Sequence, residues 1–409
     1  MSSIAPTNAL RAGNKVLGAL SRTAALQRRC LSTSQSRQAT HVIKFSKTKD
    51  DKLNEILATI RDKIILPSYL PLDQQKRLYN EKYKAALEAD PIILTIDGEE
   101  LRFSHRNRLS DLPNTKKSFK MAVDAMTAIK DFQNLSKLLE GVTQHAGRKL
   151  DPVFYSMLVR RAGQTGNIQV ILDAVRNVKR TGLKLDQSAT INELLVWIQK
   201  EAVGAGWQTR ALELALKRTQ LVLDLLEGEP RHAPKRARGP EIRSFPFFRD
   251  PQFLAMRLNL AAALAINQKG GKGTKEKVVK YAEELVKLWP KGAGLLDLEP
   301  AEAYKYPFEM GYMLNRNVYL WAAAPVLSGL TLAAKVVESE LANQLLKRAK
   351  RVEGEVITAL ETAEAGRGVV LYKQIFEEQP FEKTLKAEES EKLEKTGHVE
   401  DIERAKEAA

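Results

Sequence analysis

Apolar positions recur at spacings of three and four residues along most of this chain, the pattern of amphipathic helices. The clearest case runs from Pro152 to Asp186. Tyr155, Leu158, Val159 and Ala162 fall at i, i+3, i+4 and i+7 and give a first helix one apolar face. Gly163 and Gly166 then mark a tight turn. Ile168, Ile171, Leu172 and Val175 repeat the spacing and Val178 extends it. Gly182 stops this second helix just after Lys179 and Arg180, whose charges suit a negative helix end. The segment is predicted to be two short helices folded back on each other.

A hairpin this small cannot bury its own apolar face, so stacked copies are expected beside it. Upstream, Gly147-Arg148-Lys149-Leu150-Asp151 echoes Gly182-Leu183-Lys184-Leu185-Asp186 at a period of 35, after a stripe of Leu135, Leu138, Leu139 and Val142. That stripe aligns with the central one at an offset of 33, so the upstream copy is degenerate. Downstream, Ile191, Leu194, Leu195 and Ile198 form one stripe, and Leu212, Ala215, Leu216, Thr219 and Leu226 another. Residues 116–228 are read as about three hairpins.

The central segment resembles a pentatricopeptide repeat, the 35-residue helix–turn–helix unit of organellar RNA-binding proteins. The resemblance rests on Val153, Tyr155, Leu158, Val159, Gly166, Gly182, Lys184 and Asp186. Leu185 stands where the family has proline, and Ile171 where it has alanine. In that family the fifth and last residues of each repeat contact a base. The resemblance assigns those positions to Ser156 and Asp186, with Met121 and Asp151 in the degenerate copy. So few repeats imply a footprint of about two bases, which argues against sequence-specific reading. Arg160, Arg161, Arg176 and Lys179 would favour RNA if the inner face of the stack carries them.

Residues 1–49 contain no Asp or Glu and include Arg11, Lys15, Arg22, Arg28, Arg29 and Arg37 among Ser, Thr and Ala. This is the composition of a mitochondrial transit peptide. Arg29-Cys30-Leu31-Ser32 resembles the matrix-processing sites of fungal precursors, so residues 1–31 are expected to be removed in the matrix. Residues 32–115 then hold helices over Asp51–Leu66 and Leu72–Leu87. A β-hairpin follows, with Ile92-Ile93-Leu94-Thr95-Ile96 and Leu101-Arg102-Phe103 flanking Asp97-Gly98.

The helical pattern breaks over residues 229–249. Arg231, Lys235, Arg236, Arg238 and Arg243 are interspersed with Pro230, Pro234, Pro240 and Pro246, together with Phe245, Phe247 and Phe248. Prolines preclude a regular helix, so an extended basic linker is expected. Such a segment can lie along RNA phosphates and stack on bases, or serve only as a solvated connection. A second helical block follows at 250–376, ending in a charged tail over 377–409. The uncharged run 317–334 raises a membrane span, but Pro325, Ser328, Gly329 and Thr331 interrupt it. It is read as two buried helices meeting near Pro325. The whole is predicted to be all-α: stacked hairpins forming a solenoid, one β-hairpin and a second helical block.

Charge and missing chemistry narrow the function. The formal net charge is +15; removing five basic residues and no acid with the presequence leaves +10. The tail holds eleven acids and six bases, so residues 32–376 carry +15. A body this basic points to a polyanionic partner, RNA above all. Cys30, the only cysteine, leaves with the presequence, and the five histidines are scattered. No HExxH, GxSxG or phosphate-loop spacing occurs, so no enzyme, cofactor, metal or small-molecule substrate is predicted. A basic surface, an extended arm and degenerate repeats are similar to the helical-repeat proteins added to mitochondrial ribosomes. That resemblance implies a structural matrix component touching rRNA and ribosomal proteins. A free RNA-binding or translation factor acting on mRNA, or a helical scaffold for respiratory-complex assembly, is the alternative.

Overall fold

Helices account for nearly every element, and the computed structural model describes residues 41–233, 243–268, 272–378 and Phe381. The predicted presequence, the middle of the basic segment and most of the C-terminal tail lie outside the described residues. The N-terminal part holds α1 (Asp51–Ile60), α2 (Leu72–Leu78) and α3 (Lys84–Ala89). Asp50 caps α1 by accepting from the amides of Lys52 and Leu53. The single helix expected over 72–87 is divided. Asn80 sits between the pieces and its side chain accepts from the Lys82 amide at 3.0 Å, starting a fresh turn.

Strands β1 (Ile92–Ile96) and β2 (Glu99–Phe103) pair antiparallel, from Ile92 opposite Phe103 to Ile96 opposite Glu99. Asp97 and Gly98 have φ of 55° and 75°, as a two-residue type I′ turn requires. Glu99 fastens the hairpin to the helical body through Arg61 at 2.5 Å and Lys44 at 3.0 Å.

The stacked region contains α4 (Thr115–Ala125), α5 (Ile129–Phe132), α6 (Leu135–Glu140), α7 (Pro152–Gln164), α8 (Ile168–Arg176), α9 (Val178–Thr181), α10 (Ser188–Gly204) and α11 (Thr209–Gly228). Constant residue offsets define its geometry. Lys116 meets Asp151 and Arg161 meets the Met126 carbonyl, each across 35 positions, so α4 and α7 run parallel. Ser156 meets Thr190 across 34 and Arg160 meets Glu193 across 33, placing α10 parallel to α7. First helices of successive hairpins therefore lie side by side, one repeat apart. Two details depart from the sequence reading. Gly163 belongs to α7 rather than to the turn, and the second helix divides at Asn177 into α8 and α9. Gly182 ends α9 at φ 70°, as expected of a left-handed cap.

The second block holds α12 (Pro251–Asn267), α13 (Lys272–Leu288), α14 (Arg316–Ala334), α15 (Ser339–Thr362) and α16 (Arg367–Lys373). It shares one hydrophobic core with the repeats, running from Val42 to Phe381. α12 extends the parallel row, because Asn192–Gln252, Gln199–Asn259 and Trp207–Asn267 all pair across 60 positions. Every residue of α12 from Pro251 to Ala265 is buried, so its polar side chains must find partners inside. Asn259 does so twice, donating to Gln199 at 2.9 Å and accepting from Ser328 of α14 at 2.9 Å. At Gly329 the helices approach so closely that a Cβ would stand 2.6 Å from the Ala255 carbonyl oxygen.

The break expected at Pro325 does not occur; α14 continues through it. An interior proline costs about 3 kcal/mol in an isolated helix. Burial of nearly all of α14 outweighs that cost. By length and composition α14 could cross a membrane, but 78% of its most apolar window is buried inside the protein, as in a core helix.

Candidate functional site

The basic segment begins where α11 ends. Glu229 accepts from the Arg231 amide at 3.2 Å and pairs with its guanidinium at 3.0 Å, leaving the Arg231 side chain 47% exposed. Buried His232 accepts the Leu185 amide through Nδ1 at 3.1 Å, which ties the segment's start to the loop after α9. Burial lowers the His232 pKa, in keeping with a neutral acceptor. Lys235, Arg236 and Arg238 lie outside the described residues.

Arg243, expected on the surface with its basic neighbours, is instead internal. Its side chain is 9% exposed and pairs with Asp250 at 2.5 Å, Glu299 at 2.9 Å and Glu309 at 3.7 Å, with the Phe247 ring 4.9 Å away. One guanidinium faces three carboxylates in a poorly solvated space, and burial raises the pKa of all three. Glu299 is pushed up to about 7, chiefly by burial. This cluster closes the loop onto the N-terminus of α12 and removes Arg243 from any external contact. The physical reason is charge balance: buried acids capture the nearest arginine.

The repeat positions are similarly engaged. The half-buried Ser156 hydroxyl lies 3.0 Å from that of Thr190. Asp186 is buried, close enough to Tyr155 to help burial push that phenol up to about 12. Arg161 donates to the carbonyls of Asp124 at 2.7 Å and Met126 at 3.2 Å, capping the negative end of α4. Arg160 remains 45% exposed while its guanidinium reaches Glu193 at 3.4 Å.

A different set of cations gathers around Arg249, the last residue of the basic segment. An open groove of about 600 Å³ is lined by Gln220 of α11, Arg249 of the turn before α12, Arg257 of α12, and Lys280, Tyr281, Glu283, Glu284, Lys287 and Leu288 of α13. Arg257 is buried there, stacked 3.9 Å from the Tyr281 ring centre and paired with Glu284 at 2.5 Å. Arg249, Lys280 and Lys287 form no ion pair among the described residues. Sequence reasoning missed this groove. Lys280 and Lys287 lie seven apart on the exposed face of α13, a visible signal, but nothing local joins them to Arg249. No group of three or more His, Cys, Asp or Glu among the described residues could hold a metal.

The mitochondrial ribosomal protein mS27 family model matches residues 29–382. The chain is also 41% identical over 392 residues to the small ribosomal subunit protein mS27 of Neurospora crassa, covering 92% of this chain and 99% of that one. A match of this extent shows that the chain belongs to the mitochondrial ribosomal protein mS27 family, a structural and non-enzymatic component of the mitochondrial ribosome in the matrix.

Proposed function

We propose that this chain is a structural component of the small mitochondrial ribosomal subunit, contacting rRNA and neighbouring proteins. The observation that carries this reading is the end-to-end similarity to a relative named as a small-subunit protein. The basic body supports an rRNA contact, and so does the grouping of Arg249, the last residue of the basic segment, with Lys280 and Lys287, which form no ion pair among the described residues. Arg231, Lys235, Arg236 and Arg238 are the residues we assign to phosphate contact.

The pentatricopeptide-like hairpins act in this reading as packing units. Ser156 is bonded to Thr190 and Asp186 is buried, which favours scaffolding over base reading. Residues 1–31 serve as the import presequence; the family match starts at Arg29, beside the expected processing site at Leu31.

Sedimentation of a mitochondrial lysate tests the assignment, with and without ribonuclease or magnesium chelation. Stoichiometric co-migration with the small subunit in high salt is expected. Migration in light fractions under every condition would leave a free RNA factor or an assembly scaffold instead.

A further inference from the structure

Away from the basic segment, four helices meet around two tryptophans. Trp197 of α10 and Trp321 of α14 pack edge to face, their ring centroids 5.2 Å apart. Lys200, one turn beyond Trp197, holds its ammonium 4.9 Å from the Trp197 ring centre and 5.7 Å from that of Trp321. The Arg367 guanidinium, at the start of α16, lies 4.9 Å from the Trp321 ring centre. Arg160 of α7 joins them through Glu193, which pairs with both Arg160 and Arg367 and accepts from Trp197 Nε1 at 3.0 Å.

Three cations and one carboxylate thus meet at this junction, two of the cations paired with Glu193 and Lys200 resting on the rings, an excess of two positive charges. Glu193 is only 4% exposed, and no second carboxylate comes within ion-pair reach of the three among the described residues. Lys200 has none at all. Half-buried and beside Arg367, its ammonium has a lowered pKa, chiefly from desolvation. The tryptophan faces offset part of that cost. An anion from outside would offset the rest.

The junction is also tightly packed. The Trp197 indole rests on Gly163, where a Cβ would have no room. Gly366 and Gly368 bring the start of α16 just as tightly against Asn317 and the Trp321 backbone. Arg160 and Arg367 nevertheless keep side chains 45% and 27% exposed, so the charge reaches solvent from a fixed platform.

We propose that Arg160, Lys200 and Arg367 form a docking site for the phosphodiester backbone of rRNA, mounted on the Trp197–Trp321 platform. This rests on the ribosomal reading above and names a second contact for it. Phosphodiester fits better than a protein carboxylate on two counts. Planar guanidinium forks match phosphate oxygens, and successive phosphates neutralise an excess of two where one carboxylate leaves half of it.

The test uses the full chain and a short labelled RNA hairpin, with affinity measured across a series of KCl concentrations. Lys200→Gln/Arg367→Gln, confirmed folded by its melting curve, is expected to flatten the log–log salt slope by about two units, one for each phosphate no longer neutralised. Should the double variant misfold, Lys200→Gln alone breaks no ion pair and is expected to flatten it by about one unit. An unchanged slope in a folded variant overturns the site. So does a variant that loses a labelled polyglutamate peptide while keeping RNA, since the patch would then be an acidic-protein contact. Wild-type co-sedimentation is scored separately: a chain that joins the subunit with an unaltered variant slope defeats this site alone.

Discussion

Trp197 lies over Gly163, 34 positions earlier in the chain, so closely that the glycine has no room for a methyl group. The contact sits where α7 and α10 run parallel, one repeat apart. Gly163→Ala should push the indole away or open the helix pair. Overpacking of this kind costs about 1–3 kcal/mol, read from the urea midpoint, and Trp197 emission should shift with it. A stability change near zero would mean that the ring relaxes freely and the two helices are not locked there.

Arg243 separates structure from RNA binding. Arg243→Met leaves Asp250 and Glu299 buried without their cation, a loss of about 3–5 kcal/mol when one partner of a buried pair is removed. In a variant still folded at low temperature, the salt dependence of RNA binding should match wild type. A flatter slope would return Arg243 to the RNA surface.

Glu299 sets a pH signature. Its folded pKa is about 7, above the ordinary 4.5, so the folded state binds more protons than the unfolded state between those values. Stability from this group therefore falls as pH rises through that window. Half-buried His145 and buried His232 act oppositely: their pKa values are lowered, so acidification below their ordinary value of 6.5 destabilises the fold. Comparing wild type with Glu299→Gln cancels the histidines. The difference in urea midpoint should move in favour of wild type from pH 7.5 to pH 5. A difference independent of pH would place Glu299 at its ordinary pKa.

Replacing Lys235, Arg236 and Arg238 with Ala should weaken RNA association and flatten its salt slope by about one unit for every phosphate these side chains neutralise. Melting should be unaffected. An unchanged slope would make the segment a connector only.

Asn259 links α10, α12 and α14 through Gln199 and Ser328. Asn259→Leu strands polar groups on both neighbours, each costing about 1–3 kcal/mol when buried unsatisfied. Adding Gln199→Leu and Ser328→Ala should restore part of the loss. Equal stability of single and triple variants would show that these bonds are not coupled.

Local rules made much of the fold legible. The three-and-four periodicity of Tyr155 to Ala162 and of Ile168 to Val175, the Asp97-Gly98 turn and the cap at Gly182 depend on residues close in sequence, and the structure reproduces them. What the sequence determined by itself was the helix pattern, the repeat length near 35, the basic body and the lack of a catalytic constellation. Tertiary structure decided matters that depend on distant partners. Gly163 reads as a turn residue until Trp197 arrives from the next repeat. Pro325 reads as a break until core packing outweighs one lost backbone bond. Arg243 reads as an RNA contact until Asp250 and Glu299 close around it. Helix periodicity is short-range, whereas burial and charge pairing act across the whole fold, and they determine which basic residues remain available for a partner.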